Sequence, residues 1–429
     1  MMTCFLYPDI GRVDEPVLLH MDGFTPHEKI TIKAKWIDTT EQRWQSTIFV
    51  KSDANGKIQL TDETSETNLQ SLLWNLKPAN PSYHSSVLQK TSLTPIDMTI
   101  TVVNEANEVV LERTLTRLFI EDHIEREVVR TPECHGTFFY PKEETSVPAI
   151  IMLGGSEGGI YEESAALLSA QGYAVLSLAY FGETNLPATL HEVPVETVDH
   201  AVEWLQEKTF VNQNEIACMG TSKGGELALL AAAHNPNIHA VIGEVPASHV
   251  FQSIDRKKWK SSSWTIEGNP VPYVPYSYSV SITLQSMINI IRKRPQSLEP
   301  MYRHSLEKYR SESNEAVIRV EKINGPILLL SGGEDALWPS GSMCESIMER
   351  LDAHTFPYEK KHLYFEKAGH VLPLPYLPSI LPADVPFELG GTERANAEAG
   401  EKAWQEILAF LSRHFHPVKP KVETVMLQK

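Results

Sequence analysis

The sequence predicts an α/β protein, with a parallel-sheet domain preceded by a smaller all-β domain. Three observations carry this. The first stretch of about 120 residues holds short runs rich in β-branched residues separated by turn signals. From about Thr131 onward, strand-like runs alternate with helix-like ones, the rhythm of a parallel sheet. Within that second part, Gly220-Thr221-Ser222-Lys223-Gly224-Gly225 joins a short apolar run, Ile216 to Met219, to the helix-forming stretch Leu227 to Ala233. A serine there sits on a sharp strand-to-helix turn that lifts its hydroxyl out of the sheet.

A length of 429 residues suits two or three domains with a large core. The net charge of −17 disfavours generic nucleic-acid or anionic-membrane binding, although local basic clusters remain for an anionic small ligand. Met1 to Val13 lacks the basic and apolar regions of a signal peptide, and no apolar run approaches a membrane span. Cys4, Cys134, Cys218 and Cys344 are scattered without metal-ligand spacing, which reads as free thiols in a reducing cytoplasm.

The expected organisation follows the chain. Residues 1–125 read as an antiparallel β-sandwich, from Pro16 to Met21, Ile30 to Trp36, Ser46 to Val50, Met98 to Val103 and Val109 to Leu115, with turns at Asp22-Gly23 and Asn55-Gly56. Residues 126–416 read as the α/β domain. Strands are expected at Val147 to Leu153, Tyr173 to Ala179, Ile216 to Met219, His239 to Val245 and Pro326 to Leu330. Helices are expected at Glu162 to Ala170, Val193 to Lys208, Leu227 to Ala233 and Ala395 to Phe415. Residues 250–320 break the rhythm and read as an insertion near the sheet's carboxyl edge. This insertion carries basic clusters at 256–260 and 292–294 that could meet phosphates or simply be solvated. Residues 417–429 read as a tail.

A serine nucleophile needs a base, and the base needs an orienting acid. Downstream of Ser222, the run Pro326 to Leu330 ends in Ser331-Gly332-Gly333-Glu334-Asp335, and Leu363 to Phe365 leads to Ala368-Gly369-His370. Serine, acid, histidine, each after a strand and in that order, is the α/β-hydrolase arrangement. Glu334 and Asp335 compete for the acid; Asp335 is favoured, three after Gly332 with Pro339 shortly beyond. A second G-x-S-x-G match, Gly154-Gly155-Ser156-Glu157-Gly158, follows the first strand of this domain, too early for the nucleophile. There it suits an oxyanion loop, with backbone N–H donors from Lys223 and from Gly155 or Ser156. A phosphate-binding loop is its rival, but the run has neither Walker A spacing nor G-x-G-x-x-G.

Several of these segments resemble a known family. They are Thr221 to Leu229, the Asp335 turn with Trp338, Ala368-Gly369-His370 with Pro373, Pro375, Tyr376 and Pro378, and Gly390 to Ala397 before a Trp-bearing helix. In the N-terminal part, Gly11 to Pro16 and Leu72 to Pro78 match as well. Together they resemble the type I acyl-CoA thioesterases and bile acid-CoA:amino acid N-acyltransferases, over nearly the whole chain. The resemblance implies an α/β-hydrolase domain behind an immunoglobulin-like one. It also implies a triad of Ser222, Asp335 and His370 acting on an acyl-CoA, with no metal or bound cofactor. The transferase branch typically has cysteine at the nucleophile, so serine favours hydrolysis. The chain departs from the family in its Gly-Gly-Ser-Glu-Gly-Gly loop, where Gly-Thr-Gly-Gly-Gly is more usual, and after Phe181. Its final Leu-Gln-Lys is not a peroxisomal address.

Overall fold

The computed structural model describes residues 3–38, 41–60, 69–80, 93–255, 258, 260–379 and 386–418. Residues 419–429 of the expected tail (417–429) and residues 256, 257 and 259 of the basic cluster lie outside these.

Among the described residues the N-terminal part forms two sheets, one of three strands and one of six. In Lys29–Ile37 and Arg43–Lys51, buried and exposed residues alternate, as a period of two demands when one face meets a core. Both strands are longer than their most apolar stretches because they pair over their full length, from Lys29 opposite Lys51 to Ile37 opposite Arg43. The sandwich is not wholly antiparallel: Ile10–Arg12 lies parallel to Thr116–Leu118.

An eight-stranded sheet follows. Its first two strands, Ile124–Arg130 and His135–Pro141, are antiparallel to their neighbours. The remaining six, Ala174–Leu178, Val147–Leu153, Val211–Thr221, Ala240–Glu244, Ile327–Gly332 and Lys360–Phe365, run parallel in that spatial order. Val147–Leu153 is buried on both faces, which explains its unbroken apolar sequence. From this strand the chain first crosses to Ala174–Leu178 on one side, then to Val211–Thr221 on the other. Such a reversal opens a crevice at the strands' carboxyl ends, where open α/β sheets bind ligands.

The helix expected over 193–208 begins later. Val193–Pro194 is extended and pairs with Trp264 and Thr265, and the helix runs Glu196–Gln206. The proline and the β-partner override the apolar periodicity there. The insertion supplies Trp264–Ile266, Asn269–Pro270 and helices Val280–Ile291, Glu299–Lys308 and Arg310–Ala316. The last long helix, Glu393–His414, starts at Thr392, whose side chain accepts from the Ala395 N–H. It covers one face of the sheet, and one apolar core runs from the sandwich through Trp404 and Phe410 to Ile150 and Met219. Asp14 joins the two parts: its carboxylate accepts from Arg12 Nε at 2.9 Å, Gln171 Nε2 at 2.9 Å and Trp404 Nε1 at 3.2 Å.

Candidate active site

Ser222 lies between the strand Val211–Thr221 and the helix Lys223–His234. Its backbone is at φ 56°, ψ −118°, a conformation that non-glycine residues rarely hold without support. That support is local. Its N–H donates to the Glu244 carbonyl of the next strand at 2.8 Å, and its carbonyl accepts from the Glu226 N–H at 3.0 Å. The flanking glycines are required by close backbone approach. A Cβ on Gly220 would lie 2.1 Å from the Gly224 carbonyl oxygen, and one on Gly224 would lie 2.2 Å from that of Gly154.

The structure brings the three sequence-predicted residues together. His370 Nε2 lies 2.9 Å from Ser222 Oγ, and His370 Nδ1 lies 2.9 Å from Asp335 Oδ2. All three side chains are buried. The other Asp335 oxygen accepts from the N–H groups of Leu337 at 3.0 Å and Trp338 at 3.2 Å, which fixes the carboxylate's plane. Glu334, its competitor in the sequence, is exposed and does not reach the histidine.

Acid and histidine loops are held in register by a third segment. Asp335 bridges Gly390, Ala368 bridges Gly391, and the His370 N–H donates to the Leu389 carbonyl at 2.7 Å. Asn396, at the start of the last helix, accepts from the Gly369 N–H at 2.8 Å. Gly390 is at φ 77°, and a Cβ there would lie 1.8 Å from the Glu334 carbonyl oxygen, so only glycine fits. Trp338 stands edge-on to His370, ring centroids 5.7 Å apart, and its Nε1 donates to the Val245 carbonyl at 3.0 Å. Behind it Phe251, Tyr276 and Tyr302 of the insertion make an aromatic cluster.

The Gly154–Gly159 loop lies beside the elbow because Leu153 pairs with Gly220. Tyr180 donates its hydroxyl to the carbonyls of Gly154 at 2.6 Å and Gly155 at 3.2 Å. The Gly155 N–H is directed at the Tyr161 hydroxyl, 3.4 Å away. Lys223 opens the helix, where first-turn N–H groups lack intrahelical partners. Its side chain turns away from the serine into the core, where Nζ lies 2.8 Å from both Glu226 oxygens. Glu226 also accepts from Trp264 Nε1 at 2.7 Å. Desolvation pushes the lysine down and the glutamate up, and their mutual attraction opposes both shifts.

One neighbouring carboxyl stands out. Glu244 closes the strand next to the elbow and accepts from the Thr221 hydroxyl at 2.8 Å. Desolvation pushes it up to about 7, against the lowering effect of that hydrogen bond. Cys218, under the elbow, is fully buried and its thiol is pushed up by desolvation, so it is packing rather than a nucleophile. Among the described residues no group of three or more His, Cys, Asp or Glu is placed to hold a metal ion. None of the helices among them is long and apolar enough to cross a membrane.

Sequence reasoning gave no role to Asn396, Tyr180 or Glu226. Lys223 and Glu226 carry the one available signal, opposite charges three apart on an otherwise apolar helix. Tyr180 lies just beyond the strand Ala174–Leu178, without any motif.

The C-terminal family model "BAAT / Acyl-CoA thioester hydrolase C terminal" matches residues 193–417, and "Acyl-CoA thioester hydrolase/BAAT N-terminal region" matches residues 14–131. The chain belongs to the BAAT/acyl-CoA thioester hydrolase family. Its relatives carry both activities named in that title. Mouse (Mus musculus) acyl-coenzyme A amino acid N-acyltransferase 1 is 26% identical, the match covering 96% of this chain and 98% of that one. Rat (Rattus norvegicus) acyl-coenzyme A thioesterase 1 is 26% identical over 95% of this chain and 96% of its own. Human (Homo sapiens) acyl-coenzyme A thioesterase 1 is 27% identical over 94% of each. Family members thus align with this chain from the sandwich through the last helix.

Proposed function

We propose that the protein hydrolyses acyl-CoA thioesters, with Ser222 as nucleophile, His370 as general base and Asp335 as orienting acid. The observation that carries this reading is the unbroken chain of contacts from Asp335 through His370 to Ser222, each 2.9 Å, in a member of this family. His370 Nε2 takes the Ser222 hydroxyl proton as Oγ attacks the thioester carbonyl. The tetrahedral intermediate collapses by breaking the carbon–sulfur bond, and His370 gives its proton to the departing sulfur, so coenzyme A leaves as the thiol and the imidazole is neutral again. A water then gives its proton to His370 and attacks the serine ester. Collapse returns the proton to Ser222 Oγ and frees the acid. Asp335 holds the imidazole in the Nδ1–H tautomer and stabilises the imidazolium.

The oxyanion donors are assigned to the backbone N–H groups of Lys223 and Ser156. Gly155, the other sequence candidate, is disfavoured because its N–H is directed at Tyr161. These donors act where the charge develops, in a buried site.

Hydrolysis rather than transfer is the preferred reading because the acyl group on Ser222 is an oxygen ester, which water resolves readily. Relatives that bear the name N-acyltransferase keep the second reading open to test. Products from acyl-CoAs of short to long chain, with and without glycine or taurine, separate the two. Free acid as the main product in every mixture supports hydrolysis. Amide in place of acid assigns transfer, and turnover of simple oxygen esters alone assigns a general esterase.

A further inference from the structure

The helix Val280–Ile291 faces the opposite way from an ordinary surface helix. Ile282, Ser286 and Asn289 face inward, whereas Val280, Leu284, Met287, Ile288 and Ile291 face solvent. Their exposures are 78, 55, 56, 41 and 81%. At 3.6 residues per turn these five fall within an arc of about 100°, opposite the inward three. No residue of this helix is buried and none is charged. Tyr278, just before it, is exposed as well.

Directly after the stripe come Arg292, Lys293 and Arg294, all exposed. Lys293 is at φ 53°, so the chain turns there and the three cations gather at the helix end. Among the described residues none of the three forms an ion pair. A contiguous exposed apolar stripe marks an interaction surface. An apolar stripe bordered by basic side chains is the pattern of a helix lying in the headgroup layer of a bilayer.

We propose that Val280–Ile291 docks the protein on an anionic phospholipid surface. The apolar stripe enters the acyl boundary, and Arg292, Lys293 and Arg294 meet headgroup phosphates. A second copy of the chain fits this face less well. Its own helix offers no acidic residue, so pairing two stripes would leave both basic clusters unmatched. The net charge of −17 does not oppose docking at this patch, because charges more than about 8 Å from the surface are screened at physiological salt. The face is joined to the triad through the backbone. Gln296 donates its N–H to the Pro386 carbonyl and accepts from the Glu388 N–H, each at 2.9 Å, and Leu389 in turn holds the His370 N–H. The segment that supports His370 is thus bonded to the chain five residues beyond the docked helix. The proposal stands independently of which acyl compound is turned over.

Flotation of the purified full chain with phosphatidylcholine vesicles, and with vesicles containing about one third phosphatidylglycerol, is the test. The variants are Leu284→Ser/Ile288→Ser and Arg292→Gln/Lys293→Gln/Arg294→Gln, all at exposed positions, with unchanged thermal unfolding as the check of folding. The wild type is expected to float with the anionic vesicles only, at least about tenfold more than either variant, and to be released by added salt. No flotation of the wild type, or equal flotation of the variants, would overturn the proposal. So would a wild-type dimer in light scattering that the serine variant dissociates while neither protein binds vesicles, an outcome assigning the face to a second copy.

Discussion

Replacing Asp335 by Asn tests the triad at the point where the sequence was ambiguous. The asparagine oxygen can still accept from the Leu337 and Trp338 N–H groups, so the loop keeps its shape. The amide NH2 then takes the place of Oδ2, 2.9 Å from His370 Nδ1. A donor there forces the imidazole to put its proton on Nε2, pointing at Ser222 Oγ, and the base can no longer accept the serine proton. In triads of this geometry the wrong tautomer costs about 10⁴ in turnover, which is ~5.5 kcal/mol at 1.36 kcal/mol per decade. Thiol release from an acyl-CoA should fall by that amount with unfolding temperature preserved. Glu334→Gln, at an exposed carboxylate one residue away, should stay within about twofold of wild type, as surface changes away from the chemistry do. An Asp335→Asn enzyme within tenfold of wild type, or an equal loss in Glu334→Gln, would refute the assignment.

Two further predictions concern the elbow's surroundings. Glu244 is held protonated to about 7 in the folded chain, against about 4.3 when unfolded. The folded state therefore binds the extra proton between these values, and stability falls as pH rises through that window. Glu244→Gln keeps an acceptor for Thr221 and should be more stable than wild type by up to ~4 kcal/mol above pH 7, with no gain near pH 4; denaturant melts at both pH values measure it, and a gain largest in acid would contradict it. Lys223→Met leaves Glu226 buried without its cation and should cost ~3–5 kcal/mol, whereas Lys223→Met/Glu226→Leu should recover much of the loss. Urea melts of the two variants decide this, and a double variant no more stable than the single one would count against it.

The segments of the proposed triad were legible because each is local: a glycine-flanked serine, an acidic turn and a histidine, each after an apolar strand. Their order supplied the rest. What joins them was not legible, because it depends on long-range register. Gly390 meets Asp335 and Gly391 meets Ala368 only because the chain returns after the insertion. Glu334 and Asp335 are equivalent as letters, and it is the Gly390 bridge and the two Asp335 hydrogen bonds that aim one inward. The start of the helix at Glu196 was missed because its partner strand at Trp264 lies in the insertion, where rhythm gave no guide. Helix Val280–Ile291 carries the apolar content of a core element, and nothing in its sequence tells that its stripe faces out.

Thiol release from a panel of acyl-CoAs, wild type beside Ser222→Ala, tests the central claim most directly. The account predicts turnover by the wild type on part of the panel and loss of about 10⁴ or more in a folded Ser222→Ala protein, since the substitution removes the hydroxyl that lies 2.9 Å from His370 Nε2. Thioester turnover that survives in Ser222→Ala would contradict it.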